Sequence, residues 1–152
     1  MALAPGLVAQ QTARASAALP AAGAWDVAPT ELFVSGADVV HLQFAYTRGG
    51  AGGSFGFQVQ TSPYAIAGNV PAGGAAWSDG GSYGVGIIAA GADTTSALQG
   101  EQIVFQATGA GQEIIPFTLT NLGGTVERIR IPCHEVGAVG TPGTLVVTLV
   151  AQ

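Results

Sequence analysis

The stretch at 38–62, DVVHLQFAYTRGGAGGSFGFQVQTS, restricts this chain more tightly than any other. Read with a period of two, Val40, Leu42, Phe44 and Tyr46 fall on one face, and Val39, His41, Gln43 and Ala45 on the other. After a glycine-rich break, Phe55, Phe57, Val59 and Thr61 alternate with Ser54, Gly56, Gln58 and Gln60. Strict alternation suits the pleat of a half-buried strand and not the 3.6-residue repeat of a helix. The connector at 48–53 has four glycines in six residues, and glycine takes up positive φ without steric penalty. Two alternating runs around such a tip are expected to pair as a β-hairpin, with strands at 38–47 and 54–62.

The same pattern continues through the chain. Short strands are expected at 31–35, 83–90, 101–108, 112–120, 125–133 and 144–150, with glycine or proline between most of them. The runs at 101–108 and 112–120 read as a second hairpin across Gly109-Ala110-Gly111. Pro116 lacks an N–H and assigns the second run to an edge or a bulge. About eight strands and no fixed repeat predict an all-β fold, a single antiparallel β-sandwich or jelly roll. The glycine-rich stretch at 63–81 carries Pro63, Tyr64, Pro71 and Trp77. A loop of that length is expected to be functional or packed against something.

Residues 1–30 differ in composition and are set apart as an N-terminal arm, with the β-domain at 31–152. Within the arm, 10–19 is expected to form a short helix stopping before Pro20; Pro5, Pro20 and Pro29 prevent a longer one. The arm is either a frayed terminus or a segment laid on a neighbouring subunit, with Trp25 as its anchor.

Composition supplies the reason to expect neighbours. Of the 152 residues, 48% are hydrophobic and only 9% charged, with 24 glycines. That is the reverse of a disordered chain, and the charged fraction falls well below the usual quarter or so. The surface must be built from Gly, Ala, Ser, Thr and Gln, which resist association poorly. The four basic residues are all arginines and the net charge is −5, so no phosphate-binding surface is expected and nucleic acid is excluded as a partner. Cys133 is the only cysteine, which excludes a disulfide framework. No apolar run reaches the roughly 20 residues of a membrane span. No basic segment followed by an apolar block marks a signal peptide.

Candidate chemistry is sparse. In Cys133-His134-Glu135, strand neighbours point to opposite faces, so the thiol and imidazole do not meet while the strand continues. Only His41 remains as a base, and no catalytic residue is assigned. Zinc-ligand spacings are missing, and Asp79 and Asp93 each stand alone in their loops, so neither metal nor cofactor is expected. The glycine tip lacks the Lys-Ser/Thr of a phosphate-binding loop. Arg48 beside it is either a solvated rim residue or a partner for a neighbour's acid. Arg128 and Arg130 share one strand face, with Glu127 opposite, as a wet face or a contact for an acidic partner. Phe33, Phe44, Tyr46, Phe55, Phe57 and Phe105 are expected in the core. Trp25, Tyr64, Trp77 and Tyr83 lie in or beside loops, where rings stack on sugars or anchor interfaces. The partner-binding candidates are therefore Trp25, Arg48, Tyr64, Trp77, Tyr83, Arg128 and Arg130.

The segment YTRGGAGGSFGFQV at 46–59, an aromatic strand, a G-G-x-G-G tip and a second strand with Trp77 beyond it, resembles a hairpin of small structural proteins of tailed-phage virions. The resemblance is to capsid decoration (cement) proteins. It implies a β-sandwich or jelly roll, a homotrimer on the head surface and a terminal arm reaching across capsomers. It further implies the major capsid protein as partner, and location on the virion after synthesis in the host cytoplasm. It implies no catalytic residue and no cofactor. The alternative is a carbohydrate- or receptor-binding module of a tail tip or fibre, working through Tyr64, Trp77 and Tyr83. A third, weaker reading is an enzyme acting through His41, Cys133 and His134.

Overall fold

In the computed structural model the described residues are 10–21, 24–34, 36–51, 53–64, 77–79, 86–89, 92–93, 103–120, 122, 126–136 and 141–151. For 78–79, 86–89 and 92–93 the description covers the backbone alone. These residues form strands and no helix. The strands are β1 (Gln10–Ala18), β2 (Leu32–Phe33), β3 (Val40–Thr47), β4 (Ser54–Phe57), β5 (Gln60–Ser62), β6 (Ser78–Asp79) and β7 (Gly86–Ala89). They continue with β8 (Ala92–Asp93), β9 (Ile103–Gln106), β10 (Glu113–Thr120), β11 (Arg128–Arg130), β12 (Cys133–Val136) and β13 (Thr144–Ala151).

All pairings are antiparallel, in a six-stranded sheet β1-β13-β3-β10-β7-β8, a four-stranded sheet β2-β11-β5-β6 and a three-stranded sheet β12-β4-β9. The all-β expectation holds, but the pairing differs from the sequence reading. β3 and β4 do not form a hairpin: β3 lies between β10 and β13, and β4 between β12 and β9. Their aromatic faces meet across sheets, with the Phe44 ring 4.4 Å from Phe57 and 5.4 Å from Phe55, centroid to centroid. Phe117 of β10 meets Phe57 edge-on at 5.0 Å. Two strands that each carry one greasy face remove more apolar area from water face to face than edge to edge. The glycine connector gives the chain room to cross between sheets. The second expected hairpin fails alike, since β9 pairs with β4 while β10 pairs with β3 and β7.

β10 pairs with β3 along nearly its whole length but with β7 only from Phe117 onward, so it is not an edge strand as a whole, and Pro116 falls in the half that has β3 alone as partner among the described residues. The β7 ladder begins at Phe117, one residue past the proline, so the missing N–H falls at a ladder end. The expected strand at 125–133 is split: β11 and β12 flank Ile131-Pro132 and belong to different sheets. Phe33 is 60% exposed and not core, because Leu32 takes the inward position of that two-residue strand. The other expected core rings hold: Phe44, Tyr46, Phe55 and Phe57 are fully buried, and Phe105 packs against them.

The helix expected at 10–19 is instead β1, the edge strand on β13. Backbone donors and acceptors on its β13 side are satisfied by a partner strand, a stronger claim than the weak helix preference of an alanine-rich decapeptide. The chain then runs along the outer edge of β12: Glu135 N–H donates to Pro20 O at 2.8 Å, and Asp26 N–H to Cys133 O at 3.0 Å. Arg14 secures this path, pairing with Asp26 at 3.1 Å and donating to Leu145 O at 2.8 Å. The described part of the 1–30 arm thus packs on the domain of its own chain.

One buried acid ties these pieces together. Glu135 is wholly inaccessible. Its carboxylate accepts from the Tyr46 hydroxyl at 3.0 Å, Ser54 N–H at 3.1 Å and Gly143 N–H at 2.9 Å. Burial, then the carboxylate beside it, pushes the Tyr46 phenol well above its ordinary range. A Cβ at position 143 would lie 2.7 Å from Thr47 O and 2.8 Å from the Tyr46 hydroxyl, so only glycine lets this turn approach.

Candidate functional site

The period-two pattern of β11 sends Ile129 into the core and both flanking arginines to the opposite face. The register then fixes their neighbours. Arg130 stands opposite Gln60 and Arg128 opposite Ser62 on β5, while Phe33 of β2 lies across from Arg128. Arg128 is 2% exposed, so the face is not wet there. Its guanidinium donates to Glu31 Oε2 at 2.6 Å, to Tyr64 O at 2.5 Å and to Ser62 Oγ at 3.4 Å. Arg130 donates through Nε to Gln60 Oε1 at 2.6 Å. Trp77, entering β6, lies against both, its ring centre 4.4 Å from the Arg130 guanidinium and 5.1 Å from that of Arg128.

This grouping holds two arginines and one glutamate, leaving one positive charge in a chain whose net charge is −5. Burial pulls Arg130 below the usual arginine range, with Arg128 adding to the effect and Glu31 opposing it. It stays charged, since arginine is not discharged in proteins. The fourth ring nearby is Trp25, which packs on His134 with centroids 4.0 Å apart. Burial holds the His134 imidazole below its ordinary range, Glu135 opposing. Between Trp25 and Arg130 lies a cleft of about 220 Å³.

The structure therefore brings together four of the seven partner-binding candidates, Tyr64 (by its carbonyl), Trp77, Arg128 and Arg130, and places Trp25 across a cleft from Arg130. Arg48 stands apart, half-buried at the glycine tip, with no ion pair among the described residues. Tyr83 lies outside the described residues, as does most of 63–81. Sequence reasoning missed Glu31, Gln58 and Gln60. The glutamines sat in view on the polar face of their run, but only the register brings Gln60 to Arg130.

A second surface is the outward face of the six-stranded sheet. It presents Gln10 and Thr12 from β1, Val146, Thr148 and Val150 from β13, His41, Gln43 and Ala45 from β3, and Ile114, Pro116 and Thr118 from β10. Ile114 is 52% exposed. His41 Nδ1 and Thr118 Oγ1 lie 3.1 Å apart across β3 and β10. A shallow hollow of about 240 Å³ lies over this face beside Pro116. No Asp, Glu, Lys or Arg stands among these residues.

Cys133 is sealed in the core, its thiol pushed up by burial with Asp26 adding and Arg14 opposing, and it donates to Ile131 O at 3.4 Å. His41 stands on the exposed sheet face, so the thiol and that imidazole do not converge. Among the described residues no three His, Cys, Asp or Glu side chains gather as metal ligands. No protein-family model, curated protein or solved structure matches this chain.

Proposed function

We propose that this chain is a structural subunit of a tailed-phage virion, a decoration (cement) protein of β-sandwich, jelly-roll type that seats on the head and stiffens it. The observation that carries the reading is the outward face of the six-stranded sheet, free of full charges over eleven residues of four strands. Water gains little from solvating such a face, and a partner surface gains about 25 cal/mol for each Å² of apolar area removed from water. A stable contact covers about 800 Å² per partner; four strands of about eight residues span roughly 500 Å² of sheet, so the face forms the centre of such a contact. The major capsid protein is the partner in this reading, and a trimer the form that attaches. The aromatic packing between β3, β10 and β4 supports the sandwich assignment.

The test uses heads assembled without a decoration protein, mixed with the purified chain and sedimented. The wild-type chain is expected to pellet with the heads. Gln43→Glu and Thr148→Glu each put an uncompensated charge into the contact, where breaking even on solvation is impossible without a partner cation. Each is expected to weaken attachment by about ten-fold or more, that is by ~1.4 kcal/mol or more, with unchanged circular dichroism. Variants that pellet like the wild type would remove the sheet face from the contact. A wild-type chain that stays in the supernatant would defeat the proposal.

A further inference from the structure

The cleft beside Arg130 has a composition that the sheet face lacks. It holds about 220 Å³ and is lined by Trp25, Asp26, Gln58, Gln60, Arg130 and Pro132 among others. Trp25 is half-buried, backed on one side by the His134 ring. Its neighbour Asp26 is fixed by Cys133, accepting from Cys133 N–H at 3.1 Å while its own N–H donates to Cys133 O at 3.0 Å. The ring is therefore presented on a rigid support. Gln58 and Gln60 follow the strand period and share one side, while Val59 and Thr61 are buried on the other. Gln58 N–H donates to Pro132 O at 3.1 Å, which sets the backbone, and its carboxamide has no hydrogen bond among the described residues. Gln60 uses Oε1 for Arg130 and keeps its amide hydrogens.

Arg130 is the one charge lining this cleft that forms no ion pair among the described residues. Asp26 is engaged by Arg14, and Glu31 by Arg128. Trp77 covers one side of the Arg130 guanidinium, and Nε is taken by Gln60, so among the described residues the terminal nitrogens carry no hydrogen bond. Such a fork matches a carboxylate in two-point contact. An indole offers its face to the C–H side of a sugar ring. Two carboxamides offer paired donors and acceptors to neighbouring hydroxyls.

The geometry points to a binding site for an acidic sugar, a pyranose carrying a carboxylate, with its ring on Trp25, its hydroxyls on Gln58 and Gln60 and its carboxylate on Arg130. A bare anion would leave the indole and Gln58 unused, and a neutral sugar would leave Arg130 unused. The volume lies below the ~300–1,000 Å³ of pockets for drug-sized ligands, which suits a single ring with the rest of a glycan outside. The site is independent of the head-coating proposal, since it shares no residue with the outward face of the six-stranded sheet.

The probe is a tetrasaccharide of alternating glucuronate and N-acetylglucosamine, titrated calorimetrically into the full chain. The controls are the same tetrasaccharide with its carboxylates reduced to alcohols, and sodium acetate. Saturable binding of the acidic sugar is expected, about ten-fold or more tighter than the reduced form. Arg130→Gln should bring the acidic sugar down to the level of the reduced one and leave the reduced one unchanged. Trp25→Phe should weaken both. Should Trp25→Phe lower the melting temperature, Gln58→Ala, at a half-buried side chain with no hydrogen bond among the described residues, replaces it and should also weaken both. No saturable heat, equal affinity for both sugars, competition by acetate at equal concentration, or wild-type binding by the variants would each overturn the site.

Discussion

Taking a carboxylate out of water is penalised by several kcal/mol unless the protein restores the lost hydrogen bonds and charge. Glu135 has three donors in place of an ion pair: one phenol and two backbone N–H groups. Those donors come from the end of β3, the start of β4 and the turn before β13, so a single side chain holds three separate pieces of chain. Glu135→Gln tests this with little change of shape. An amide nitrogen cannot accept, so either Ser54 N–H or Gly143 N–H loses its partner, at about 1–3 kcal/mol. A urea midpoint lowered to that extent with an unchanged slope is expected; a wild-type midpoint would deny the carboxylate this role. The triplet Cys133-His134-Glu135 was conspicuous in the sequence, but this use of it was not. Two of the acid's partners lie 89 and 81 positions away, and no local pattern encodes them.

At the level of elements, period-two patterning located strands and their buried sides, as with Val40, Leu42, Phe44 and Tyr46 on β3. It left pairing open. Alternation specifies which face seeks cover, and two aromatic faces joined by a glycine tip satisfy one another across sheets as readily as along an edge. The same limit hid the site: Arg128 and Arg130 were legible as sharing a face, but Gln60, Ser62 and Glu31 reach them only through register. For β1, composition pointed the wrong way, because an alanine-rich run is a weak helix whose fate is decided by a free edge nearby. That edge yields a prediction. β1 covers β13 in spite of two register shifts between Thr12 and Ala17, and without it the run TLVVTLVA would offer unpaired N–H and C=O groups along its length. Deleting residues 1–18 should lower the melting temperature by about 5 °C or more, at roughly 2–4 °C per kcal/mol for a chain of this size. It should also cause concentration-dependent association in sedimentation velocity. A truncated chain that stays monomeric with an unchanged melting point would show that β1 protects nothing.

For the molecule as a whole, scarcity of charge concentrates pH sensitivity in a few buried groups. Only nine acids, four arginines and two histidines are present, and three uncommon titrations stand out. Cys133 and Tyr46 are raised from their ordinary 9.0 and 10.0, chiefly by burial. The unfolded chain therefore releases these protons first. Their stabilisation is complete below about pH 9, starts to fall as the pH passes 9 and 10, and goes on falling toward the raised values of the folded chain. His134 is lowered from 6.5, again chiefly by burial. Here the unfolded chain gains a proton first, so the stabilisation is complete above pH 6.5 and lost as the pH falls below it. Glu113, lowered from 4.5 by N–H groups of Gly109 and Thr108, adds a separate loss further into acid, weak because the side chain is solvated. Stability should therefore form a plateau between about pH 6.5 and 9, with shoulders on both sides. His134→Phe keeps a ring against Trp25 and removes the first acidic step. The urea midpoint of that variant should hold level from pH 7 to 5 while the wild type declines. Parallel decline in both proteins would move the acid limb to the carboxylates, and the imidazole would then have no part in it.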